Sequence, residues 1–174
     1  MIRFSGILFI ILLFTNCNSQ DNMQTVHKLD LQKYAGTWYE IYRLPFFPER
    51  NLVNITANYD ILPDGKIEVI NSGRKNTPDG KLKSIRGKAW RPDPDKPGRL
   101  KVRFFWPFKS DYLVLANQDY RYALVTGGSG NVLWFLSREP GMPTETFEKF
   151  KEVAVQNGID ISELITVTQE WEDR

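Results

Sequence analysis

The chain holds a single cysteine, Cys17, and a single histidine, His27, and these limit the chemistry open to it. A zinc centre of the thiolate–imidazole type needs several such ligands, so no metal site is expected. A nucleophile activated by histidine would have to recruit His27, which stands in a polar stretch near the N-terminus. Haem binding lacks a suitably placed histidine, and no cofactor is expected. One cysteine forms no internal disulfide. Among the acids, Glu40, Asp60, Glu68 and Asp111 fall in apolar-rich segments, but their spacing defines no acid–base pair. A net charge of +2 gives no polyelectrolyte signal for nucleic acid. The hydrophobic share of 41% is ample for a core, and the aromatic share of 13% is high.

The N-terminus reads as an export signal. Met1 to Arg3 is basic and Phe4 to Phe14 is an almost unbroken apolar run. That run is short of the roughly 20 residues a membrane span requires, and it has the order of a signal-peptide core. Phe14-Thr15-Asn16-Cys17 follows, then the polar Asn18-Ser19-Gln20-Asp21-Asn22. The boundary resembles a bacterial lipobox, although Phe14 and Asn16 depart from the preferred residues. Residues 1–16 are expected as the signal peptide and residues 17–30 as a linker anchored through acylated Cys17. Residues 31–174 are expected as one domain.

That domain alternates β-rich runs with turn clusters. The runs are Thr37–Leu44, Val53–Leu62, Lys66–Arg74, Leu82–Arg91, Arg99–Trp106, Asp111–Asn117, Tyr122–Thr126 and Val132–Arg138. Each is rich in branched and aromatic residues. Pro63-Asp64-Gly65, Thr77-Pro78-Asp79-Gly80, the proline-rich stretch from Pro92 to Gly98, and Gly127-Gly128-Ser129-Gly130-Asn131 supply the turns. Short, evenly spaced strands without intervening helices predict an all-β antiparallel sandwich or barrel. One helix follows, with Thr144 expected to cap it and Gly158 to stop it. Its apolar stripe is Phe147, Phe150, Val153 and Ala154. Ile165–Trp171 is expected as a last edge strand.

Three short motifs sharpen the fold. Gly36-Thr37-Trp38-Tyr39-Glu40 opens the first strand. Asn117-Gln118-Asp119-Tyr120 separates the sixth from the seventh. Arg138 ends the eighth. In this order they resemble the three signatures of the lipocalin family, with Gln118 in place of the usual threonine. Tyr122-Ala123-Leu124-Val125 and Trp134-Phe135-Leu136-Ser137-Arg138-Glu139-Pro140 narrow the likeness to bacterial lipocalins of the outer-membrane lipoprotein kind. The resemblance implies an eight-stranded up-and-down barrel with one C-terminal helix outside. It also implies a ligand such as a fatty acid or lysophospholipid.

Chain reversal at every turn of such a meander puts all three motifs at one end. Gly36, Trp38, Asp119 and Arg138 are therefore expected to close that end, with Arg138 laid on the Trp38 face. The ligand then enters at the other end, between Pro45–Leu52, Lys75–Lys81, Pro107–Ser110 and Gly127–Asn131. Alternation selects the inward residues. With Trp38 they are Glu40, Tyr42 and Leu44, then Val53, Ile55, Ala57 and Tyr59, then Ile67, Val69 and Asn71. Ile85, Gly87 and Ala89, then Val102, Phe104 and Trp106, then Tyr112, Val114 and Ala116, and finally Trp134 and Leu136 complete the set. In the sixth strand the opposite parity, Leu113 and Leu115, is equally apolar, and pattern does not separate the two. Glu40 is expected to pair with an arginine near the closed end. Phe46 and Phe47 add aromatics at the mouth, beside Arg50, Arg74, Lys75 and Lys109.

Three readings stay open at this level. The first is a lipid carrier at the outer membrane, serving envelope maintenance or stress. The second is a lipocalin-fold enzyme. The third is a module that grips a protein partner, or a second copy of itself as a homodimer, through Phe46, Phe47 and Phe108.

Overall fold

A computed structural model describes residues 23–171. Cys17 and the expected signal peptide lie outside the described residues. The β-rich runs form eight strands: β1 Gly36–Arg43, β2 Leu52–Ile61, β3 Ile67–Lys75, β4 Leu82–Trp90, β5 Arg99–Arg103, β6 Ser110–Gln118, β7 Tyr122–Thr126 and β8 Leu133–Ser137. Each pairs antiparallel with the next, and β1 pairs with both β8 and β2. The ring is thus a closed barrel, which leaves no open edge among these strands.

Burial separates two apolar layers. Inside the barrel, Trp38, Tyr59, Ile67, Val69, Ala89, Leu100, Val102, Val114, Ala123, Val125 and Leu136 form one cluster. Outside it, Leu113, Leu115, Tyr122, Leu124, Leu133 and Phe135 form a second. The outer cluster exists because the C-terminal helix Thr144–Gln156 covers it. All five residues of β7 are buried for this reason: its two faces meet two different cores. The same cover decides the parity of β6. Tyr112 and Val114 belong with the inner cluster, whereas Leu113 and Leu115 face the covering helix.

Two helices complete the frame. The short α1, Leu31–Tyr34, precedes β1, and Asp30 caps it by accepting from the backbone amides of Gln32 and Lys33. The long α2, Thr144–Gln156, lies on the outer cluster with Phe150 and Ala154 buried. Burying a side chain such as Phe150 contributes about 2 kcal/mol. Thr144 does not cap α2. Pro143 holds that position without a side-chain bond, and its fixed φ suits the entry to a helix. Gly158 ends the helix at φ +73°, a conformation that costs glycine little.

Two register shifts redirect side chains. β1 slips against β8 between Glu40 and Tyr42. β2 slips against β3 between Val53 and Thr56, with Asn54 at φ +50°. The residues following Ile165–Thr166, the short strand β9 on β1, fill the gap these shifts leave between β1 and β2. Val167 donates to the Ile41 carbonyl and Asn54 donates to that of Thr168. The Gln169 side-chain amide bridges the Glu40 and Ile55 carbonyls at 2.7 and 2.9 Å. The expected strand Ile165–Trp171 is therefore only two paired residues followed by an irregular seam.

Candidate functional site

The closed end is built around Arg138. Its guanidinium carbon stands 3.8 Å from the centre of the Trp38 ring. The guanidinium donates to the carbonyls of Lys33, Tyr34, Ala35, Thr37 and Tyr120 at 2.7–3.1 Å. Trp38 is fully buried, and its indole N–H donates to the Tyr34 carbonyl at 2.9 Å. Gly36 adopts φ +92°, and a Cβ there would stand 3.4 Å from Arg138. Asp119 is exposed and acts through its backbone. Asp119 and Tyr120 have φ of +52° and +57°, which turn β6 into β7. Residues 23–30 fall in the expected linker, yet they lie along the barrel. Met23 and Leu29 are buried, and Val26 donates to the Val114 carbonyl.

Away from this plug the barrel encloses a cavity of about 500 Å³. That lies in the range of small-molecule sites, about 300–1,000 Å³. Nine of the expected ligand residues line it: Phe46, Ile55, Ala57, Val69, Asn71, Ala89, Phe104, Tyr112 and Trp134. Lys109, Ser110, Gly127, Gly128 and Ser129 line its mouth, so it opens between the loops opposite Arg138. Gly87 is needed beside it, because a Cβ there would come within 2.7 Å of the Phe104 ring.

Seven expected residues stand elsewhere. Tyr42 and Leu44 point outward, because the slip after Glu40 reverses the alternation. Tyr42 packs on Phe135 and Phe147, and Leu44 joins the same outer cluster. Val53 is displaced by the slip in β2. Leu52 takes the inner side instead, with its Cβ 3.3 Å from where a Cβ on Gly73 would stand. Ile85 pairs directly with Asn71 and shares its face, but it is not part of the cavity wall. Val114 faces inward yet is packed solid with the Trp38 cluster. Trp106 is 82% exposed because β5 ends at Arg103 and the chain swings out of the sheet, and Phe47 is 84% exposed at the start of the short 3-10 turn Phe47–Glu49 after β1. Ala116, also expected inside, packs with the outer cluster after a slip between Val114 and Ala116.

A buried charge cluster forms one wall. The slip in β1 turns Arg43 inward, and its Nε lies 3.3 Å from Glu40 and 3.7 Å from Glu49. Glu40 thus pairs with Arg43, three residues on, and not with an arginine of the closed end. The Trp134 indole N–H donates to Glu49 at 3.1 Å. Burial raises the Glu40 carboxyl well above the usual range, the charge of Glu49 adds to this, and Arg43 opposes it. Glu49 is raised by burial, while Trp134 and Arg43 pull it back. One guanidinium facing two carboxylates in a low dielectric favours the protonated form of both carboxyls, and of Glu40 most, since it is the more deeply buried.

A second polar group gathers three tyrosines. Tyr112 Oη lies 2.8 Å from Tyr34 Oη and 3.0 Å from Tyr59 Oη. Alternation puts Tyr59 and Tyr112 inside. Nothing in the sequence joins Tyr34 to them, since α1 reaches the barrel only through tertiary packing. Arg43 and Glu49 are missed for a similar reason: a bulge and a loop place them.

An antiparallel eight-stranded barrel, plugged at one end and hollow at the other, defines a lipocalin-type binding protein. A family model described as a lipocalin-like domain matches residues 29–169. The chain is 38% identical over 152 residues to the outer membrane lipoprotein Blc of Vibrio cholerae, covering 86% of this chain and 88% of that protein. It is 36% identical over 162 residues to the Escherichia coli K12 protein of the same name, covering 92% and 91%. Among solved structures, insecticyanin from the tobacco hornworm Manduca sexta superposes with a TM-score of 0.67 at 23% identity, covering 87% of this chain and 85% of that one. The chain belongs to the lipocalin family.

Proposed function

We propose that the protein is a carrier of single-chain lipids, fatty acid or lysophospholipid, without enzymatic activity of its own. The cavity carries this reading: about 500 Å³, walled mainly by apolar side chains and open at one end. Burial of an acyl chain there would contribute roughly 25 cal/mol per Å². Lys109 at the mouth offers a counter-charge to an anionic headgroup. The relatives are named outer membrane lipoproteins, which supports a place at the bacterial outer membrane and an anchor at acylated Cys17. A role in envelope maintenance or stress fits that place. The test is displacement of a fluorescent fatty-acid probe by palmitic acid or lysophosphatidylcholine. Displacement at micromolar lipid is expected, and its absence would overturn the reading.

A second reading rests on the exposed Phe47, Phe105, Trp106 and Phe108 at the open end. Such a cluster also suits self-association or contact with a membrane surface. Gel filtration with and without lipid separates these: a dimer regardless of lipid favours self-association.

A further inference from the structure

We propose that the Tyr34–Tyr112–Tyr59 hydroxyls form a hydrogen-bonding subsite inside the cavity for an oxygen carried on the acyl chain itself, so that the preferred ligands are hydroxylated or oxo lipids. This rests on the carrier reading and specifies its ligand class.

The case begins with a count of protons. Each tyrosine hydroxyl has one O–H to donate. Tyr112 Oη contacts the other two hydroxyls, and these two contacts use two of the three protons. Whichever way the rotors turn, one O–H is left without an acceptor inside the group. All three residues line the cavity, so that donor is available to its contents. Burial raises all three hydroxyls above the ordinary tyrosine range, Tyr59 to about 12, and they stay neutral donors.

A second observation points the same way. Asn71, in the cavity wall, has a buried side-chain oxygen with no hydrogen-bond partner among the described residues. It shares a face of β3 with Val69, which pairs with Tyr59. An inner wall made only for alkyl chains gains nothing from an unspent donor and an unspent acceptor, since buried unmade bonds cost about 1–3 kcal/mol each. A ligand hydroxyl can accept from the first and donate to the second. A plain methyl end can do neither. The group reaches to the plug side of the cavity, where Tyr59 pairs opposite Gly36 and Tyr34 meets Trp38 in a tilted contact, ring centres 5.0 Å apart. A headgroup at the mouth therefore leaves the chain, and any oxygen on it, to meet the tyrosines.

The test compares ω-hydroxydodecanoic with dodecanoic acid, and ω-hydroxyhexadecanoic with hexadecanoic acid, by probe displacement. The proteins are the wild type and the triple variant Tyr34→Phe, Tyr59→Phe, Tyr112→Phe. Removing all three hydroxyls is the clean deletion, because any single change leaves a spare donor behind. In the wild type the hydroxy acid of at least one length should bind as tightly as its parent, or more tightly. In the triple variant that preference should reverse, with the ratio of Kd values rising about tenfold. If the variant fails to fold, the tyrosine ultraviolet difference spectrum of the wild type decides. The hydroxy acid should perturb it and the parent should not. Parents that bind while every hydroxy acid binds at least about tenfold more weakly to wild type would overturn the subsite and leave the carrier reading standing. No binding by any of the four acids would overturn both.

Discussion

Replacing Arg138 with methionine keeps the aliphatic stem and removes the guanidinium, and the loss can be worked out contact by contact. The Lys33 and Thr37 carbonyls meet the guanidinium at the surface, so water replaces it there at little cost. The Tyr34 carbonyl keeps the Trp38 indole as a donor. The part-buried carbonyls of Ala35 and Tyr120 lose this donor, at about 1 kcal/mol or somewhat more each. The cation–π contact with Trp38 adds about 1 kcal/mol. The sum is about 3–4 kcal/mol, which for a domain of this size lowers Tm by about 6–15 °C. Differential scanning calorimetry of Arg138→Met beside wild type measures it. Arg138→Lys should recover part of the loss, because one ammonium cannot span carbonyls on both sides of the ring. A drop below about 3 °C for Arg138→Met would refute the view that this side chain holds the plug together.

Glu40→Gln tests the charged wall. A carboxyl raised on folding binds its proton more tightly in the folded state than in the unfolded one. Its contribution is then greatest below the unfolded value of about 4.3 and is lost as pH rises through the folded value. Glu40→Gln removes that dependence, so its Tm advantage over wild type should grow from pH 4 to pH 8, and a benefit confined to acid pH would contradict the assignment. Gln169→Ala leaves the Glu40 and Ile55 carbonyls without their bridge, and a urea midpoint lower by the equivalent of about 2 kcal/mol is expected. Trp106→Ser with Phe108→Ser should weaken sedimentation with lipid vesicles, or dissociate a dimer in gel filtration, while leaving lipid affinity in solution unchanged.

Much of this architecture is legible in residue order. Gly36, Trp38 and Arg138 sit where reversal of a meander demands, and the closed end follows from that. The inward residues of β3 and β4 follow because those strands pair without a slip. Reading fails where the backbone departs from strict alternation. One extra residue near Ile41 sends Tyr42 and Leu44 out and brings Arg43 in, and one near Asn54 exchanges Val53 for Leu52. A bulge leaves little trace in a pattern of hydrophobicity, since the residues on both faces of a helix-covered strand are apolar. The tyrosine group escapes for another reason. It joins α1, β2 and β6, and only tertiary packing brings them together.

The central claim, that the hollow half of the barrel receives an acyl chain, is tested most directly by filling it. Ala57 lines the cavity beside Trp38 and Asn71, and its half-buried position leaves room above it. Ala57→Phe places a ring in the space the chain would occupy. Wild type should bind palmitic acid at micromolar concentration by probe displacement, and Ala57→Phe should lose about tenfold or more in affinity while still melting cooperatively. A folded Ala57→Phe variant that binds palmitic acid as well as wild type would show that the chain lies somewhere else.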